Sequence, residues 1–228
     1  MYSDQDKHYI PFSLGSLQPT PRFVERAQEM QVIEDYFLPE KSTITHSLTR
    51  RKTFLLHGLG GMGKTQLAVA FARKHHDKFS AVLWLEGSSV DRLKQSFVDV
   101  ACKLPQDELA ANVVESLQTG KIDADVVVEE VLSWLSLPSN KHWLLIMDSV
   151  DQDWHIKKQD CLAYDAEIYF PKADHGSILV TSRLASSSHI FEAELRVDRV
   201  DDVQARSMLG DHDCMEQRGM PQRSIYRI

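Results

Sequence analysis

Several features are scarce in this 228-residue chain, and each scarcity removes a class of function. Cysteine occurs three times, at Cys102, Cys161 and Cys214, far apart and without a C-x-x-C pair. That argues against a disulfide framework and fits the reduced thiols of a cytosolic or nuclear protein. Ten histidines are scattered; His75-His76 and His212-x-Cys214 are the close groupings, and neither has the partners of a zinc site. Positive charge is in deficit: 26 Lys and Arg face 33 Asp and Glu, for a formal charge of −7 and no long basic stripe. A general nucleic-acid binder is therefore not expected. The longest apolar runs, Ala81 to Leu85 and Trp143 to Met147, are strand-sized and far below the ~20 residues that span a bilayer. The first ten residues, MYSDQDKHYI, are polar and acidic, unlike a secretory signal or an Arg-rich transit peptide. No internal repeat or low-complexity tract is present, and the length suits one sizeable core or one domain with an appendage.

Glycine, in contrast, is concentrated in one stretch. Gly58-Leu59-Gly60-Gly61-Met62-Gly63-Lys64-Thr65 reads G-x-x-x-x-G-K-T, the phosphate-binding loop. Thr53 to His57 runs into it as a short apolar strand, and Gln66 to His76 follows as a helix that is apolar nearly all round. Glycines let the backbone curl so that N–H groups converge on an anion, and the helix dipole adds positive potential there. Lys64 supplies a full charge for the β- and γ-phosphates, and Thr65 a hydroxyl for Mg²⁺. The pattern by itself implies a nucleoside triphosphate with Mg²⁺.

Along the chain, residues 1–19 show little periodicity and read as a flexible lead-in. A helix is predicted from Thr20-Pro21, with Phe23, Ala27, Met30, Ile33 and Phe37 on one face and Pro39 at its end. Lys41 to Lys52 reads as a polar connector, with Arg50-Arg51-Lys52 in a solvated loop. Ser80 to Glu86 is a second strand. Ser88-x-x-Asp91 suggests a helix start, and Val90, Leu93, Phe97, Val100 and Leu104 continue at helical spacing up to Pro105. Helices are predicted over 107–117 and 123–135. His142 to Asp148 (HWLLIMD) is a third strand that delivers a carboxylate at its C-terminal end, where open α/β sheets place ligands. Asp148 would hold Mg²⁺ through water. Residues 151–173 read as a loop with a short helix, 176–183 as a fourth strand, 194–197 as a short fifth and 201–209 as a last helix. Residues 210–228 read as an irregular tail. Alternating strand and helix means an α/β fold: a five-stranded parallel sheet with helices on both faces, in three α/β/α layers.

With these residues in view, the chain resembles the NB-ARC domain of the signal-transduction (STAND) P-loop ATPases. These are the nucleotide switches of plant and fungal NLR receptors and of the apoptosome. GLGGMGKTQLA at 58–68 is similar to their phosphate loop, including Met62 and Gln66, and the motif style suggests a fungal member. Phe23-Val24-Glu25-Arg26 resembles the segment that lies over the adenine, which implies nucleotide contacts from Val24 and Arg26. Trp143 to Asp148 resembles their Walker B strand. Gly176 to Arg183 resembles the strand whose terminal arginine senses the γ-phosphate, which implies that role for Arg183. The resemblance covers roughly residues 20–209. Glu25 stands where the family usually has glycine, and Ser149 where it often has a second acid. The next acid, Asp151, either polarises water, as in the related NACHT domains, or caps a turn.

The resemblance implies a regulatory ADP/ATP switch with slow or no hydrolysis, in cytoplasmic signal transduction of the innate-immune kind. Alternatives are a P-loop enzyme proper and an adaptor or decoy that keeps the fold without useful turnover. The extra strand between the loop and the Asp148 strand fits the additional-strand ATPases. The small helical and winged-helix lobes that follow this domain in the family are not expected here, since residues after Leu209 lack their pattern. A monomer is expected, engaging a protein partner or a full-length relative, with no nucleic acid and no membrane.

Overall fold

The computed structural model describes residues 8–14, 26–39, 50–151, 163–185 and 190–199. Five strands, β1 (Lys52–His57), β2 (Ala81–Glu86), β3 (Trp143–Asp148), β4 (Ser177–Ser182) and β5 (Ala193–Arg196), pair in parallel in the order β2-β3-β4-β1-β5. All six residues of β3 and of β4 are buried. Such continuous apolar runs are what a sheet covered on both faces requires.

The two-residue period of the strands sorts their side chains into two cores. Trp143, Leu145 and Met147 join Leu55, Ile178 and Val180 against α3 (Val90–Ala101), α4 (Ala111–Thr119) and α5 (Ala124–Leu135). Leu144, Ile146, Phe54, Leu56 and Leu179 face the other way, against α1 (Ala27–Phe37) and α2 (Lys64–His75). The result is the three-layer α/β/α arrangement that the alternation predicts. Each fully buried large side chain contributes about 1.5–3 kcal/mol, so slipping β3 by one residue would forfeit both cores at once.

An extra strand lies between the loop strand and the Asp148 strand, as expected, but it is not the one that comes between them along the chain. That one is β2, which lies at the sheet edge. In space β4 separates β1 from β3, and its polar C-terminal end therefore sits between the loop and Asp148.

Other readings are corrected by tertiary contacts. Within the lead-in, residues 8–14 are held against the domain. Ile10 donates its N–H to the Ser80 carbonyl (2.9 Å) beside β2, and the Phe12 ring stacks on His76. Buried His8 bonds Glu108 through Nδ1 (2.8 Å) and Ser139 through Nε2 (2.9 Å). Trp134 Nε1–H donates to the same Glu108 oxygen at 2.6 Å. These bonds hold Gln106–Glu108 as a 3-10 turn, and the helix predicted over 107–117 starts at Ala111. The α3 cap is Ser89, whose Oγ accepts the Arg92 N–H; Ser88 bonds Glu86 instead, and the helix stops at Ala101. Lys52 is no solvated-loop residue. It opens β1, and its ammonium donates to the Tyr36 and Phe37 carbonyls (both 3.0 Å) at the end of α1, where the helix dipole favours a cation. Arg51 donates to the Pro171 carbonyl at 2.8 Å. Residues 163–173 contain the expected short helix as a 3-10 turn, Ala166–Tyr169. The helix start at Thr20, most of the 41–52 connector, the 201–209 helix and the tail lie outside the described residues.

Glu34 ties α1 to α2, accepting from Lys74 (2.9 Å) and His75 (2.8 Å). The hydrogen bond from Lys74, then that from His75, holds the Glu34 carboxyl below the usual glutamate range. A depressed carboxylate stabilises the fold above its unfolded pKa and loses that contribution as pH falls through its folded value. Glu34→Gln is therefore expected to lower stability at pH 7 by up to about 1 kcal/mol, and chemical denaturation should show the deficit vanishing under acid conditions.

Candidate functional site

The loop after β1 turns on two glycines with different duties. Gly58 has φ +136°, and a Cβ there would collide with the Val197 carbonyl, which β5 carries past β1. Gly63 has φ +88° as the left-handed N-cap of α2, a conformation that disfavours any residue with a Cβ. The first amides of α2 are thereby left directed at the loop's interior. A cavity of about 320 Å³ lies there, lined by Gly60, Gly61, Gly63, Lys64, Thr65, Gln66, Ser149, Asp151, Thr181 and Arg183. Gly58 and Met62 are not in that lining; Met62 packs against the α1–α2 core.

Lys64 is buried, with 8% of its surface exposed, and donates to the Gly58 (2.7 Å) and Leu59 (2.9 Å) carbonyls. Burial pushes its pKa down; Asp151 and Asp148 oppose that shift, and Arg183 adds to it. A buried ammonium held only by carbonyls, at the mouth of a glycine cradle, is poised to exchange them for anionic oxygens.

Beside it, the end of β3 presents Asp148, 9% exposed. Its Oδ1 accepts from the Thr65 hydroxyl (2.8 Å) and from the Thr181 hydroxyl (2.6 Å). Among the described residues, Oδ2 is approached by Ser149 Oγ, at 3.4 Å. This hydroxyl-and-carboxylate set is of hard oxygens. Among the described residues no group of three or more His, Cys, Asp or Glu could hold a metal by itself. Such a donor set fits Mg²⁺, which is typically held by one or two carboxylates, waters and substrate phosphates rather than by a protein cage. Thr65 and Asp148 are the residues that would hold it.

The next residue, Ser149, is the one described non-glycine residue with positive φ, +65°. That conformation costs about 1 kcal/mol or more and needs support. Thr181 gives it, since its Oγ1 also accepts the Ser149 N–H at 2.9 Å. One hydroxyl thus sets both the carboxylate and the turn behind it. Sequence reasoning missed Thr181, because a threonine ending a strand is ordinary β-former usage; only the intercalation of β4 gives it this place.

Asp151 lies two residues beyond that turn, and Arg183 follows β4. Asp151 Oδ1 accepts the Arg183 backbone N–H (2.7 Å), and Oδ2 pairs with Arg183 Nε (3.0 Å). Arg183 also packs beside the loop, with its Nε 3.5 Å from where a Cβ on Gly60 would stand. Arg26 caps α1 and is buried. Its guanidinium donates to Glu29 (2.8 Å) and to the Asp198 carbonyl (2.9 Å), and its Nε is 4.0 Å from the Cβ position of Gly63. It therefore ties α1 to the segment after β5 next to the loop. Val24 lies outside the described residues.

Thr181→Val keeps the shape and removes the hydroxyl. It leaves the partly buried Ser149 N–H without its partner and takes a donor from Asp148, an expected loss of about 1–3 kcal/mol by denaturation. The Mg²⁺ concentration for half-maximal effect on nucleotide binding should rise at least about tenfold, as for other partners that orient a metal carboxylate. Thr181→Ser should behave as wild type in both measurements.

The family model for the NB-ARC domain matches residues 40–214. A nucleotide-binding leucine-rich repeat (NLR)-like protein from the fungus Hyaloscypha variabilis is 28% identical over 182 residues, 76% of this chain. The chain spans only 16% of that relative's length. Among solved structures, the Aeropyrum pernix ORC2 protein, in ADPNP–ADP complexes, superposes with a TM-score of 0.50 at 13% identity, over 93% of this chain and 55% of that one. That likeness speaks to the fold alone. Among the described residues no helix is long and apolar enough to cross a membrane. The loop, the carboxylate beyond it and a family match across most of the chain agree, and the chain belongs to the NB-ARC family, as a nucleotide-binding domain of P-loop NTPase fold.

Proposed function

We propose that this domain is the nucleotide-sensing core of a regulatory switch, binding ADP or ATP with Mg²⁺ and hydrolysing ATP slowly or not at all. The observation that carries the reading is the position of Arg183. Its side chain is 68% exposed beside the phosphate cavity, with Asp151 on its Nε, so the rest of its fork is placed to receive phosphate oxygens. The loop amides and Lys64 would take the β- and γ-phosphates, the ammonium leaving the Gly58 and Leu59 carbonyls. Thr65 and Asp148 would hold the Mg²⁺, which when bound neutralises charge on the phosphate oxygens. Phosphoryl transfer further needs an oriented water. Ser149 stands where the family often has an acid, and Asp151 is engaged by Arg183, which supports slow turnover.

Family membership and the NLR-like relative support a setting in signal transduction of the innate-immune type, in the cytoplasm, with a protein partner or a full-length relative. A monomer is the expected state of this chain, with neither nucleic acid nor membrane as partner.

Titration with fluorescent ADP and ATP, with and without Mg²⁺, tests the reading. Both nucleotides should bind, Mg²⁺ should tighten ATP, and Lys64→Ala should weaken both by at least about tenfold, since a charge-assisted contact is lost. Steady-state hydrolysis should stay below about 1 s⁻¹, the low edge of ordinary enzyme rates. Faster turnover would overturn the slow-switch reading. No binding of either nucleotide would overturn the switch altogether and leave a folded adaptor.

A further inference from the structure

We propose that Asp151 is the positioning residue of Arg183, aiming its guanidinium at the third phosphate, and is not a base that polarises water. This rests on the sensing role proposed above for Arg183. The carboxylate grips one residue at two points: Oδ1 on the main-chain N–H at 2.7 Å, and Oδ2 on Nε at 3.0 Å. Fixing N and Nε fixes the course of the side chain between them. The two terminal nitrogens are left as the outward fork, the geometry that suits phosphate oxygens. An unheld arginine would spread over many rotamers in open solvent.

The carboxylate is itself held in place. The Asp151 N–H donates to the Ser149 carbonyl at 2.8 Å, and the Val150 N–H to the Thr181 carbonyl at 2.9 Å. The Ser182 hydroxyl donates to the Val150 carbonyl (2.5 Å), lies 3.4 Å from Asp151 Oδ1, and accepts the Leu184 N–H at 3.0 Å. Residues 149–151 are thus clipped to 181–183 in register: the Thr181 hydroxyl to Ser149 and Asp148, the Ser182 hydroxyl to Val150, and Arg183 to Asp151. The aim of Arg183 and the seat of the Asp148 carboxylate belong to one turn. Each of the two Asp151 oxygens already accepts from Arg183, so a role as base would compete with this grip for the same carboxylate.

The test compares wild type with Asp151→Asn, Arg183→Gln and the double variant. Affinities for ATP and ADP, each with Mg²⁺, are read as a ratio. Asp151→Asn should cut the preference for ATP over ADP by about tenfold, the scale of a lost charge-assisted hydrogen bond, and by much the same factor as Arg183→Gln. The double variant should be no worse than Arg183→Gln, because the two act as one unit. An unchanged ratio in Asp151→Asn, with turnover abolished, would overturn the proposal in favour of a base. ATP and ADP affinities falling together would overturn it in favour of a purely structural role. NMR of the arginine Nε–H in the nucleotide-free protein supplies a check that needs no binding: the Arg183 signal should exchange slowly in wild type and be lost in Asp151→Asn. Fast exchange in wild type overturns the contact itself. If wild type binds no nucleotide while that signal is protected, the contact stands and the switch reading fails.

Discussion

The hydrogen bonds from the Thr181 hydroxyl connect the rest of the site. That group touches the Asp148 carboxylate and the left-handed Ser149 backbone, and it can do so only because β4 lies between β1 and β3. The intercalation follows in turn from packing. β3 and β4 are buried over all six residues, so both must sit in the middle of a sheet with helices on each face. Place β4 elsewhere, and Thr65 and Asp148 would still carry the right chemistry but would lose the strap that fixes the carboxylate. A buried carboxylate without its donors is costly, by about 1–3 kcal/mol for each bond left unmade and more for a charge.

The rest of the fold holds this point from both sides. On one face, α1 and α2 are tied by Glu34 and by the Phe37–Phe71 contact, which steadies the helix whose N-terminus forms the cradle. On the other face, Tyr164 donates to the Gly87 carbonyl at 2.6 Å, and the Gly87 N–H bonds the Asp148 carbonyl at 2.7 Å. The backbone that bears the Asp148 carboxylate is therefore anchored to β2 as well as to β4. Residues 8–14 close the β2 edge and reach through His8 to Glu108 and Trp134. The cavity sits where these supports converge, at the C-terminal ends of the strands, as in other open α/β sheets.

Much of this was legible in the sequence, for identifiable reasons. The glycine spacing before Lys64 admits few conformations. An apolar run ending in Asp148 announces a buried strand with a charged end. The alternating strands and helices leave little choice of fold class. What escaped was set by tertiary contact. Nothing in HYIPF says that Ile10 hydrogen-bonds beside β2, and nothing near Glu108 says that Trp134 and His8 will hold it in a 3-10 turn. Ser88 and Ser89 are equally good caps until the Glu86 carboxylate claims one of them. The order of strands in the sheet, and so the place of Thr181, is a property of the packed whole. Asp151 was open between a base and a turn cap in the sequence, and its distances to Arg183 come only from the folded chain.

If the cradle, the Asp148 carboxylate and Arg183 form one unit that distinguishes a third phosphate, its signature is local and nucleotide-specific. Hydrogen–deuterium exchange of the protein with Mg²⁺–ADP and with a slowly hydrolysed Mg²⁺–ATP analogue measures it directly. Both nucleotides should slow exchange across residues 58–65, and the triphosphate alone should add protection over 149–151 and 181–183. Equal protection of those two segments by ADP and the ATP analogue would contradict the account.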